Sequence, residues 1–128
     1  MKALLDTHTF LWWNLDDARL SMKARQVIAD ANNDIFLSAA SAWEIAIKTA
    51  RGRLKLPENP EHYVSKRMAY HRLLPLPVQL SHALHVFSLP DLHQDLFDRL
   101  LIAQSQLEGI PLLTNKAEIS RYEVEIIW

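Results

Sequence analysis

Four carboxylates stand out by their type and spacing. Asp6 directly follows the apolar run Ala3-Leu4-Leu5. Glu44 comes shortly after a second apolar run, Ile35-Phe36-Leu37. Asp95 and Asp98 lie three apart, just ahead of Leu100-Leu101-Ile102-Ala103. An acid at the end of a buried strand is costly unless it is hydrogen-bonded, paired or bound to a cation. Several acids gathered at one place repel each other and need something cationic among them. Oxygen donors without sulfur suit Mg²⁺ or Mn²⁺. Such ions promote phosphodiester hydrolysis by activating water and stabilising charge on the phosphate oxygens. Each acid alone also fits a structural role. Glu44, Asp95 and Asp98 complement helix N-terminal dipoles at roughly 0.3–1 kcal/mol each. Glu44 can pair with Lys48, and Asp95 with Arg99, both at i, i+4 spacing. The hydroxyls of Thr7 and Thr114 either orient a ligand carboxylate or water, or cap a helix.

The elements that must position these groups alternate along the chain. Residues 2–6 read as a strand and 8–15 as a helix. Ser21 caps a second helix with an apolar stripe through Ala24, Val27, Ile28 and Ala31. Residues 34–38 form a strand. Residues 41–51 form a helix capped by Ser41, with Glu44 completing a capping box in its first turn. Residues 60–71 and 80–88 are helical, and 73–78 are a strand or an extended link between them. A strong helix over 95–108 ends at Gly109. Strands at 111–114 and 123–127 close the chain. Strands joined by helical crossovers imply an α/β fold with a parallel sheet covered on both faces. Sites in such sheets lie beyond the carboxyl ends of the strands, so Asp6, Glu44, Asp95 and Asp98 are expected to converge on one edge.

Composition narrows the field. The chain has 128 residues, 49% of them hydrophobic, which fits one domain spanning 1–128 with a substantial core. There is no cysteine, so thiolate nucleophiles and Cys-based zinc sites are excluded. Only Gly52 and Gly109 are glycine, too few for a phosphate-binding loop. No apolar run approaches the roughly 20 residues of a membrane span, and Asp6 interrupts any leader-like core, so a cytoplasmic protein is expected. The formal net charge is −1, but it is unevenly spread. From Lys48 to Arg72, seven basic residues face two acids, a net +5 against −6 for the remainder. Its plain reading is a solvated helical face. Beside an acidic metal pocket, Lys48, Arg51, Arg53 and Lys55 become candidates to cradle RNA phosphates. Trp12, Trp13 and Trp43 sit at helical spacing with apolar neighbours, which favours core packing or a dimer face over base stacking. Among six histidines, His93 lies two before Asp95 and is within reach of a substrate phosphate, but a structural role is the commoner one.

Four blocks of the sequence together resemble the PIN-domain family, specifically its VapC-type ribonuclease toxins. They are LLDTHTFLWW, SAASAWEIAIK, LPDLHQDLFDRLLIAQSQLEGIPLLT and the closing RYEVEIIW. The blocks occur in family order and span nearly the whole chain. The resemblance implies a PIN-like three-layer sandwich with a central, mainly parallel sheet of four or five strands. It implies an Mg²⁺-dependent endoribonuclease, with Mn²⁺ as an alternative ion, that hydrolyses RNA with a metal-activated water. Asp6, Glu44 and Asp98 fall on the family's acidic positions and would hold the metal; Asp95 matches an accessory acid. A cognate antitoxin protein and a homodimer are the implied partners, and the basic segment could also meet an acidic stretch of antitoxin.

Lys116 departs from the family pattern, which often has an acid two residues after Thr114. A protonated lysine cannot ligate a metal, so the acidic set shrinks by one. Asn115 and Glu118 are nearby oxygen donors without the family spacing. Arg99 is expected to pair with Asp95 or Glu44, with phosphate binding as its other use. Two competing functions remain. A phosphatase using Asp6 as nucleophile needs an acid two positions on, where His8 stands. A non-catalytic PIN-like module that binds RNA or a partner is consistent with Lys116.

Overall fold

The run Lys2–Leu5 (β1) is apolar after its first residue, as a strand buried on both faces must be. In the computed structural model, which describes residues 1–128, β1 lies at the centre of a five-stranded sheet. Asp34–Ser38 (β2) pairs with it on one side, Leu4 opposite Phe36, and Leu74–Leu76 (β3) extends that side. Leu112–Leu113 (β4) and Ile126–Ile127 (β5) extend the other. The order is β3-β2-β1-β4-β5, and every pair is parallel.

The connections are helical: Thr7–Leu15 (α1), Met22–Ala29 (α2), Ala39–Ala50 (α3), Pro60–His71 (α4), Leu80–His85 (α5), Leu96–Glu108 (α6) and Ala117–Ser120 (α7). A 3-10 turn at Val86–Ser88 follows α5. Strand alternation divides the core into two layers. Ala3, Leu5, Ile35, Leu37 and Leu113 face one side and pack with Phe10, Ala24, Ile28, Ile45 and Val64 from the first four helices. Leu4 and Leu112 face the other and pack with Leu101, Ile102, Ala103 and Ile119 from α6 and α7. This is the expected three-layer α/β sandwich. No helix is long and apolar enough to cross a membrane.

Two local expectations are corrected. The helix expected over 41–51 begins at Ala39, so Ser38 rather than Ser41 is its cap. Alanines at 39 and 40 are strong helix formers, and they carry the helix back to a serine whose hydroxyl is free to accept. Glu44 therefore lies in the second turn, and the capping box does not form. Residues 80–88 are likewise not one helix, because α5 tightens into the 3-10 turn before Pro90.

Ser38 also ties the two layers together. Its Oγ accepts from the Ala40 N–H at 3.0 Å and donates to Oε1 of the fully buried Gln104 at 2.6 Å. Ser38→Ala removes a cap and leaves a buried amide oxygen unpaired. Its expected cost is about 2 kcal/mol, read as a lower urea midpoint with an unchanged denaturant slope.

Candidate active site

Helices α3 and α6 begin at the edge where the parallel strands β1, β2 and β4 end, so their first turns and the strand ends face one space. Asp6 is the residue between β1 and α1, and it caps α1: its Oδ1 accepts from the Thr9 N–H at 2.7 Å. Its other oxygen accepts from the Thr114 hydroxyl, just past the end of β4. Thr9 Oγ1 donates to the Leu113 carbonyl at 2.7 Å, which fixes α1 to the same strand. Glu44 projects from α3, accepting from Thr7 Oγ1 at 2.6 Å and from the Lys48 ammonium. Asp98 projects from the first turn of α6. Asp95 caps that helix by accepting from the Asp98 N–H at 2.9 Å. Asp6, Glu44 and Asp98 are each only 1% exposed.

Lys116 is the cation on Asp98, as Lys48 is on Glu44. The Lys116 Nζ lies 3.1 and 2.9 Å from the two carboxylate oxygens of Asp98. Burial opposes its charge, yet the Asp98 carboxylate, together with Asp6 and Asp95, holds its pKa above the ordinary lysine value. Asp6, Asp95 and Asp98 thus all act on this one ammonium, while Glu44 pairs with Lys48. The donor chemistry, three buried carboxylates with hydroxyls and no sulfur, fits a hard dication. The arrangement in this structure is pairwise: no three acidic or histidine side chains lie close enough to share an ion. Each carboxylate instead takes a hydroxyl or an ammonium.

A family model for the PIN domain matches residues 3–125. The chain belongs to the PIN domain family. Ribonuclease VapC16 of Mycobacterium tuberculosis is 44% identical over 63 residues, which are 49% of this chain and 45% of that protein. The chain therefore aligns with less than half the length of that relative. The crystal structure of VapBC2 from Rickettsia felis, bound to a DNA fragment from their promoter, has the same fold. There the TM-score is 0.75 at 16% identity, covering 98% of this chain and 97% of that one.

Within this PIN domain the remaining candidates separate. Thr7 and Thr114 donate to pocket carboxylates, the orienting alternative rather than the capping one. Asn115 and Glu118 are both exposed. Arg99 does not pair with Asp95 or Glu44. Asp95 is engaged by the helix backbone, and the Arg99 guanidinium instead donates to the Pro90 carbonyl (2.9 Å), the Val86 carbonyl (3.3 Å) and the Tyr122 hydroxyl (3.0 Å). It holds the segment leading into α6.

Of the basic residues, Lys48 and Arg53 line a small cavity beside Thr7, of about 150 Å³. Lys55 lines an adjoining apolar one with Trp12 and Arg19. Arg51 is exposed at the end of α3. Trp12 and Trp13 pack against the PIN domain's own core, whereas Trp43 is largely exposed and meets Phe97 edge-on.

Two pocket residues have weak sequence signals. His93, given a structural role above, places Nε2 2.8 Å from Asp98 Oδ2. Its place five residues before Asp98 was the available clue. Thr9, which straps α1 to β4, was visible only as the second Thr of the Asp-Thr-His-Thr run.

Proposed function

We propose that this PIN domain is a VapC-type endoribonuclease, the toxin of a toxin–antitoxin pair, that uses Mg²⁺ or Mn²⁺. The observation that carries the reading is the delivery of three buried carboxylates to one sheet edge by β1, α3 and α6. The similarity to a protein named Ribonuclease VapC16 supports it. Asp6, Asp98 and Glu44 would hold the cation, and Asp95 assists by fixing the start of α6. When bound, a divalent cation supplies charge stabilisation to the phosphodiester and lowers the pKa of water.

The chain's own residues prepare that site. Thr114 and the Thr9 N–H orient the Asp6 carboxylate, and Thr7 orients Glu44. Such fixed donors avoid reorganisation when the substrate arrives. Lys48, Arg53 and Lys55 lie on the Thr7 side of the pocket, where they meet the phosphates of a bound strand. A cognate antitoxin is the expected protein partner.

A homodimer belongs to the same reading. The exposed Leu80, Leu84 and Phe87, on α5 and the turn after it, form one of the apolar surfaces that such an interface can use; Trp43 and Leu96 are exposed as well. Phe87→Glu is expected to shift the protein from dimer to monomer in sedimentation equilibrium. An unchanged mass would place the interface elsewhere.

The test of function is cleavage of labelled RNA by the purified protein with Mg²⁺ or Mn²⁺, repeated with EDTA. Cleavage abolished by EDTA and restored by excess cation supports the nuclease. One observation favours a second reading, a non-catalytic RNA- or partner-binding module: the Lys116 ammonium already sits on Asp98. RNA retained on the protein in both cations without cleavage would select it.

A further inference from the structure

We infer that the Lys116 ammonium is a built-in cation of the carboxylate pocket, which a divalent ion must displace from Asp98 in order to bind. The inference rests on the reading of Asp6, Glu44 and Asp98 as a cation site. It adds that the chain carries its own competitor for that site.

The geometry is specific. Nζ spans both oxygens of Asp98, at 3.1 and 2.9 Å, and the Lys116 side chain is only 18% exposed. The residue is anchored at its backbone as well. Its N–H donates at 3.1 Å to Thr114 Oγ1, the same hydroxyl that donates to Asp6. The ammonium is therefore held over the pocket by the strand end that organises Asp6, and only rotation of the side chain can remove it. His93 approaches Oδ2 of the same carboxylate, so Asp98 has no oxygen free of a basic partner.

Lys48 does the corresponding job for Glu44, which is equally buried, but the Lys48 side chain is itself 39% exposed and so swings into water more easily. Of the two lysines, Lys116 is the more enclosed, and it is the one that spans both oxygens of its partner. Two consequences follow. In the absence of metal the Asp98 carboxylate is neutralised by Lys116, and metal binding is weaker than the carboxylates alone would give.

The test is Mn²⁺ binding by isothermal titration calorimetry at one fixed pH, on wild type, Lys116→Met and Lys48→Met. Lys116→Gln serves if the Met variant does not fold. The expected result is an affinity at least about tenfold tighter in Lys116→Met, with a smaller gain in Lys48→Met. The melting temperature of Lys116→Met should also fall in EDTA and recover with Mn²⁺, while that of wild type changes little. Equal, measurable Mn²⁺ affinity in wild type and both Lys116 variants overturns this inference and leaves the cation site standing. No Mn²⁺ binding by any of them overturns both.

Discussion

Replacing Asp6 by Asn is expected to lower RNA cleavage at least about a thousandfold while leaving the fold in place. Charge stabilisation by a bound cation contributes several kcal/mol to phosphodiester hydrolysis, and about 1.4 kcal/mol is a tenfold change in rate. Asn keeps the shape of Asp and can still accept from the Thr9 N–H, so α1 keeps its cap. The Thr114 hydroxyl, which donates to the carboxylate, can turn to accept from the new amide. What disappears is the negative charge. Asp6→Ala is the less clean variant, because it also removes the cap at a further cost of about 1 kcal/mol. Initial rates on labelled RNA, set beside urea melts of the same samples, separate the two effects. A rate within tenfold of wild type, in a variant that melts normally, would remove Asp6 from the reaction.

Asp6 was also the acid most legible in the sequence, and the reason is physical. A short apolar strand followed at once by an acid is a local pattern, and a buried carboxylate at that point needs a partner wherever the strand ends. The same local logic delivered β2 at 34–38 and α4 at 60–71, each bounded by clear punctuation. It failed at the start of α3, where Ser41 reads as the cap. The helix instead runs back through Ala40 and Ala39 to Ser38, whose hydroxyl also pairs with Gln104, far along the chain. It failed again for Arg99, whose helical spacing suggested Asp95. The guanidinium has better partners in two carbonyls and Tyr122, brought near by the loop at 86–90. Lys116 is the instructive case. Its sequence position showed that an acid was missing. That the lysine would turn inward onto Asp98 depends on how α6 packs beneath β4, which no periodicity encodes.

That packing underlies the second large effect. Leu101→Ala is expected to destabilise the protein by about 2–5 kcal/mol. Leu101 is fully buried in the layer formed with Leu4, Leu112 and Ile119, so truncation removes transfer energy and leaves a cavity between α6 and the sheet. Against a typical total of roughly 5–15 kcal/mol for a domain, this is a large fraction. Leu107, on the same helix but exposed, is the control, and Leu107→Ala should stay within about 0.5 kcal/mol. Urea midpoints at unchanged slope give the comparison, and a Leu101→Ala cost below that of Leu107→Ala would show that α6 is not held by this layer. The functional side follows from helix geometry. Leu101 lies one turn beyond Asp98 and shares its buried face, so it sets how deeply that carboxylate reaches into the pocket. Asp98 is held by no strand of its own, whereas Asp6 is fixed by β1 and β4 together. Relaxation of α6 into the cavity therefore moves Asp98 relative to Asp6. A displacement of about 1 Å can cost a hundredfold in rate, so cleavage by Leu101→Ala should fall well beyond its loss of folded protein, even at temperatures where it remains native.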